Sequence, residues 1–172
     1  METEIRPAGD FRAQIIAWSF VAAQLLLILA VAAAPTGPRW SVPGPVRLLG
    51  VAVAVAGVVL AAVAAAGLGR GLTASPLPNG AARLRTTGFY RQVRHPVYSG
   101  LLLAATGWVV ASGSLPRTLA ALVLAVLLTI KARWEETQLT ARFPDYPAYA
   151  ARTPRLLPHL GSRSRQRQHP QQ

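Results

Sequence analysis

The chain has 172 residues, of which 52% are hydrophobic and only 14% charged; its formal net charge is +12 and it contains no cysteine. A soluble domain carries about 25% charged residues, so this composition points to lipid surroundings. The lack of cysteine excludes disulfides, cysteine nucleophiles and thiolate metal centres.

Four apolar stretches follow one another. The first runs from about Gln14 to Ala34 and stops at Pro35-Thr36-Gly37-Pro38. Small residues before Pro35 resemble a signal-peptide cleavage site. The acids Glu2, Glu4 and Asp10, together with a run longer than a signal core of about 7–15 residues, predict a retained helix instead. The second stretch, about Val46 to Leu68, is rich in alanine and valine and carries Gly57 and Gly67. Both approach the roughly 20 residues that cross a bilayer as helix, and the small residues of the second permit close helix approach.

The third and fourth stretches, about Tyr98 to Ser112 and Leu115 to Ile130, are shorter. At roughly 1.5 Å per residue each falls short of a hydrocarbon core. The intervening Ser112-Gly113-Ser114-Leu115-Pro116 predicts a tight turn and hence a helical hairpin. The expected fold class is an all-α polytopic membrane protein with about four membrane segments, the last two a hairpin. A single domain is expected over 1–172: two N-terminal spans in 1–68, a chemistry-bearing half in 69–160, and a disordered basic tail in 161–172.

Arginine sets the expected orientation. Arg70, Arg83, Arg85, Arg91 and Arg94 lie between spans two and three, and Lys131, Arg133, Arg142, Arg152, Arg155 and the tail arginines follow span four. The positive-inside rule places both groups on the cytoplasmic face of an inner, multi-pass membrane, leaving Arg39, Arg47 and Arg117 outside. Because the arginines lie between apolar spans and not on one soluble domain, nucleic acid is not an expected partner. His95, His159 and His169 are scattered, so no metal site is expected.

Two polar constellations flank the hairpin on that face. One is Thr87-Gly88-Phe89-Tyr90-Arg91-Gln92-Val93-Arg94-His95-Pro96-Val97-Tyr98-Ser99-Gly100; the other is Lys131-Ala132-Arg133-Trp134-Glu135-Glu136-Thr137-Gln138-Leu139, followed by Phe143, Asp145, Tyr146 and Tyr149. The residue before Pro96 is steered away from helix, so the pair marks a bend at the mouth of span three. Lys131 and Glu135 share one helix face, a turn apart. A plain interfacial anchor accounts for the arginines and tyrosines. It leaves adjacent carboxylates at an anionic headgroup layer unexplained, and on local physics alone anchor and ligand site stand level.

Arg94-His95-Pro96-x-Tyr98 followed by Glu135-Glu136-x-x-Leu139 resembles the paired signature of the isoprenylcysteine carboxyl methyltransferase family, in its bacterial type, and of the related phospholipid methyltransferases. The likeness covers about Leu84 to Pro158. It implies methyl transfer from S-adenosyl-L-methionine to a lipid-like or prenylated acceptor, carboxylate O-methylation foremost. It also implies cofactor contacts at Leu84, Arg85, Tyr90, Arg94, His95, Pro96, Val97, Tyr98 and Glu135. Lys131 stands where a substrate-touching basic residue is expected, an arginine in the eukaryotic enzymes, and lysine lacks the planar fork that grips a carboxylate at two points. Glu136 is the candidate base if the acceptor is an amine. Two rival readings remain at this point: a sterol-reductase-like oxidoreductase using NADPH, kept alive by Arg83, Arg85 and Arg91, and a non-catalytic membrane scaffold.

Overall fold

A computed structural model describes residues 8–34, 37–68 and 84–158. Its elements are α1 (Ala8–Ala33), α2 (Gly44–Leu68), a 3-10 turn (Gly88–Arg91), α3 (Pro96–Ser112), α4 (Leu115–Arg142) and α5 (Tyr146–Arg152). The expected all-α architecture is what the chain adopts. Three helices, α1 from Phe11 onward, α2 and α4, are long and apolar enough to cross a membrane, and α3 is a shorter apolar helix. Large apolar side chains such as Leu26, Leu29, Val58, Leu122 and Val126 are exposed along them. In water such a surface would drive aggregation; around a bundle whose backbone bonds are closed within helices it is what lipid requires.

Local sequence explains the boundaries. Pro96 opens α3 and Pro116 lies in the first turn of α4, positions whose amides have no intrahelical acceptor to lose. Gly113 closes α3 at φ 56°, ψ 36°, where its amide donates to the Val109 carbonyl at 3.0 Å. Only glycine occupies that left-handed region freely. The turn is clipped to the α1–α2 connection: the Trp40 amide donates to the Gly113 carbonyl and the Leu115 amide to the Pro38 carbonyl, each at 3.0 Å.

The structure adds two features to the sequence reading. The fourth apolar stretch stops near Ile130, but its helix runs on through the expected helical step from Lys131 to Glu135 as far as Arg142, 28 residues in all, or roughly 42 Å at 1.5 Å per residue. Apolarity ends at Ile130, but Lys131-Ala-Arg-Trp-Glu-Glu-Thr-Gln-Leu is rich in residues that favour helix, so the element outlives the hydrophobic run. Secondly, although α3 and α4 are joined by a tight turn, α3 packs mainly against α2, while α4 packs mainly against α1.

The α2–α3 contact is made by small residues. Gly50 and Gly57 of α2 interlock with Gly100 and Gly107 of α3 in antiparallel register. A Cβ on Gly100 would lie 2.6 Å from the Ala61 amide nitrogen, and one on Gly50 would lie 2.8 Å from the Gly107 carbonyl oxygen. Backbone thus meets backbone, which gains dispersion where lipid offers no hydrophobic drive. Between α1 and α2, floored by α3 and α4, lies an apolar groove of about 450 Å³.

Candidate active site

The polar residues gather at the end of the bundle opposite the Gly113 turn. Glu135 and Glu136, adjacent in α4, face different partners. The Tyr98 hydroxyl donates to Glu135 Oε2 at 2.9 Å, and His95 Nδ1 lies 3.6 Å from the same oxygen. Glu136 faces His95 Nε2 at 3.1 Å and Arg155, whose Nε and Nη2 donate to its two oxygens at 2.9 and 2.7 Å. Arg94 Nε stands 3.3 Å from Glu136 Oε1, within ion-pair range but not aligned as a hydrogen bond. His95 therefore bridges the two carboxylates, and its ring stacks on Tyr98 with centroids 5.3 Å apart and planes within 3°.

Segment 153–157 holds the mouth of α3 in place. The Arg94 and His95 amides donate to the carbonyls of Pro154 and Arg155 at 2.8 and 3.1 Å, and Ser99 Oγ donates to the Leu156 carbonyl at 2.6 Å. The first two bonds satisfy backbone donors that the Pro96 bend leaves outside the helix. Tyr149 of α5 donates to the Tyr90 carbonyl at 2.5 Å, and the Tyr90 hydroxyl donates to the Ala64 carbonyl at 3.3 Å, tying the 3-10 turn to α2. Burial pushes the Tyr90 and Tyr149 phenols up to about 12, helped at Tyr90 by the Glu135 charge. The Glu136 carboxylate holds the Arg155 guanidinium above its ordinary value.

Lys131, one turn before Glu135, is 3% exposed. Its Nζ donates to Gln24 Oε1 of α1 at 2.7 Å and stands 5.3 Å from the centroid of the Tyr98 ring. Among the described residues no carboxylate reaches ion-pair distance of Lys131.

Of the sequence-predicted residues, Arg94, His95, Tyr98, Lys131, Glu135 and Glu136 converge in this cluster, with Pro96 buried beneath it and Val97 half-buried. Tyr90 lies beside it through Tyr149 and Ala64. Leu84 is half-buried and Arg85 exposed. Ala82, Arg83 and the rest of the closing segment 69–83, like the tail 159–172, fall outside the described residues. Two residues of the cluster escaped the sequence reading. Arg155 passed as one more arginine of the basic face, although it belongs to a run adjoining Pro158. Gln24 is a long polar side chain within an apolar span, a recognised sign of interior function.

The donor set suits a ligand carrying both signs of charge. Glu135 keeps side-chain exposure of 25% and one oxygen beyond its Tyr98 bond, enough to accept from an ammonium or a ribose hydroxyl. Arg94, Arg133, Arg142 and Arg155 share this end, whereas Arg117 lies beside the opposite turn, its guanidinium 5.5 Å from the Trp108 ring.

The bundle, its lipid-facing surface and its carboxylate–histidine cluster define an integral membrane protein with a polar site at one end of its helices. The phospholipid methyltransferase family profile matches residues 46–145, more than half of the chain and most of the cluster. The chain belongs to that family. It is also similar to the cobalt-zinc-cadmium resistance protein CzcN of Cupriavidus metallidurans, 37% identical over 78 residues, which is 45% of this chain and 36% of that protein. The match thus spans about a third of that relative's length.

Proposed function

We propose that the protein transfers a methyl group from S-adenosylmethionine to the carboxylate of a lipid-like acceptor at the cytoplasmic face of the inner membrane. One observation carries the reading. The His95-Pro96-x-Tyr98 entry to α3 and the Glu135-Glu136 pair of α4 meet in one cluster, with Glu135 bonded to Tyr98 and a buried Lys131 one turn below.

When bound, the cofactor supplies an electrophilic methyl on a sulfonium: the sulfur–methyl bond breaks as the acceptor oxygen–methyl bond forms, and both charges disappear. Glu135 is assigned to the cofactor's ammonium or ribose hydroxyls. Arg94, His95 and Tyr90 are assigned to the same pocket, with Leu84, Arg85, Pro96 and Val97 as its wall. Lys131 is assigned to the acceptor. Because charge is lost in the reaction, a site shielded from water favours it, and a carboxylate acceptor needs no general base. Glu136, expected as the base of an amine acceptor, is given a positioning role here: its oxygens already accept from Arg155 and His95, so it fixes the ring that touches Glu135. Arginine at this end supports the cytoplasmic orientation.

The test is calorimetric binding of S-adenosylmethionine and S-adenosylhomocysteine to detergent-purified protein, with NADPH as the comparison. Binding of the two sulfur compounds, lost in Glu135→Ala, is the expected result. NADPH binding alone would move the protein to the oxidoreductases, and binding of none of them would leave a scaffold.

A further inference from the structure

Lys131 presents a problem of charge. Its ammonium is buried inside a membrane bundle, and its hydrogen-bond partner is an amide oxygen, which supplies a dipole and no charge. The Tyr98 ring adds a quadrupole, not a counter-ion. Glu135, one turn on, lies beyond ion-pair distance, and a buried ammonium without a close counter-ion is costly, so an anion from elsewhere would complete the site.

Gln24 shows how that anion would be held. Its Oε1 accepts from Lys131, which leaves its amide NH2 group, two donors, beside the ammonium. Lysine alone is a point charge and cannot grip a carboxylate at two points as arginine does. Lysine and a glutamine amide together restore a two-point donor pair. Below this pair the apolar groove begins. Ile28 is one turn along α1 from Gln24, Leu101 one turn along α3 from Tyr98, and Leu124 two turns back along α4 from Lys131. Four helical residues advance roughly 6 Å, so an apolar tail enters the groove directly beneath a head seated on Lys131.

We infer that Gln24 is a specificity-determining residue: with Lys131 it seats the carboxylate of a single-chain amphiphile whose tail lies in the groove between α1 and α2. The inference rests on the methyl-transfer reading for its purpose but not for its test. It brings α1, which lies outside residues 46–145 of the family match, into the active site. It also excludes a cationic amine head, which would meet a like charge and two donors.

The test compares farnesoic acid, farnesol and farnesylamine, which share a tail and differ in the head. Each is titrated calorimetrically into detergent-purified protein, with and without S-adenosylhomocysteine. The acid is expected to bind at least about ten-fold more tightly than the alcohol, and the amine most weakly. Gln24→Glu places an internal carboxylate on Lys131, so it abolishes the preference for acid over alcohol. Gln24→Leu weakens acid binding about ten-fold, and the double variant Gln24→Leu, Lys131→Arg recovers it by restoring a fork. Equal binding of acid and alcohol to the wild type, or an acid preference that survives Gln24→Glu, overturns the inference. Acid preference without S-adenosylhomocysteine binding would retain the seat and overturn the methyltransferase reading instead.

Discussion

Arg155 holds Glu136 through two parallel hydrogen bonds, Nε to Oε1 at 2.9 Å and Nη2 to Oε2 at 2.7 Å. The pair links the segment after α5 to α4, and the same segment carries the carbonyls that receive the Arg94 and His95 amides. Hydrogen bonds to a charged group contribute about 1.5–3 kcal/mol. Arg155→Ala is therefore expected to lower stability by about 2 kcal/mol, read as a reduced midpoint of unfolding in detergent. Arg155→Lys should recover only part of the loss, because lysine cannot form both bonds at once. An Arg155→Ala protein as stable as wild type would show that the strap is held by its backbone bonds alone.

The two adjacent glutamates should separate in their effects. Glu135→Gln is expected to leave thermal stability within about 0.5 kcal/mol of wild type and to weaken S-adenosylhomocysteine binding at least about ten-fold. Glu136→Gln removes the charge facing Arg155, His95 and Arg94, so its main effect is on the unfolding midpoint. Parallel calorimetry and melting curves check this. Equal losses of binding and stability in both variants would make the pair a single unit.

The α2–α3 seam tolerates no side chain. Gly57→Val places atoms where the Ala104 amide and the Gly100 carbonyl already are, and such overpacking costs about 1–3 kcal/mol or more. Gly67, with nothing within 4 Å of an added Cβ, is the control. Melting should show a large loss for Gly57→Val and little change for Gly67→Ala; equal effects would mean that the seam is loose.

Alkali should loosen the region around α5. The phenols of Tyr90 and Tyr149, ordinarily titrating near 10, are raised to about 12 by burial, and that of Tyr146 is raised as well. Between pH 10 and 12 the unfolded chain releases protons that the folded one retains, so the stability these phenols provide is intact below pH 10 and declines as pH rises through 12. Tyrosinate absorbance followed against pH should appear together with unfolding. Full ionisation near pH 10 with the fold intact would contradict the burial of these rings.

Orientation can be read with single cysteines, since the chain has none of its own. Ser41→Cys is expected to react with an impermeant maleimide from outside the cell, and Arg142→Cys only after the membrane is opened. The reverse pattern would put the site on the outer face.

Much of this architecture is legible in the sequence because hydrophobic runs and prolines act locally. α1 and α2 announce themselves by length, and the mouth of α3 by His95-Pro96. The extent of α4 is not legible from apolarity, since Lys131 to Leu139 is polar yet continues the helix. Helix pairing is harder still. Chain neighbours suggest α3 with α4, whereas glycines seven residues apart in both α2 and α3 decide for α2 with α3. Within the site, His95, Tyr98, Lys131, Glu135 and Glu136 are recognisable because each lies in a compact motif. Gln24 reaches Lys131 across 107 residues, and no local pattern announces so distant a partner.

The glycine seam has a mechanical consequence. With α2 and α3 locked backbone to backbone, and α4 fastened to α1, the bundle is two stiff halves meeting along a softer line. The boundary where α1 faces α2 has the least contact to break, so local opening would cost least there. It is also where the apolar groove lies, so the boundary with least helix contact is the one that presents an apolar surface to the bilayer.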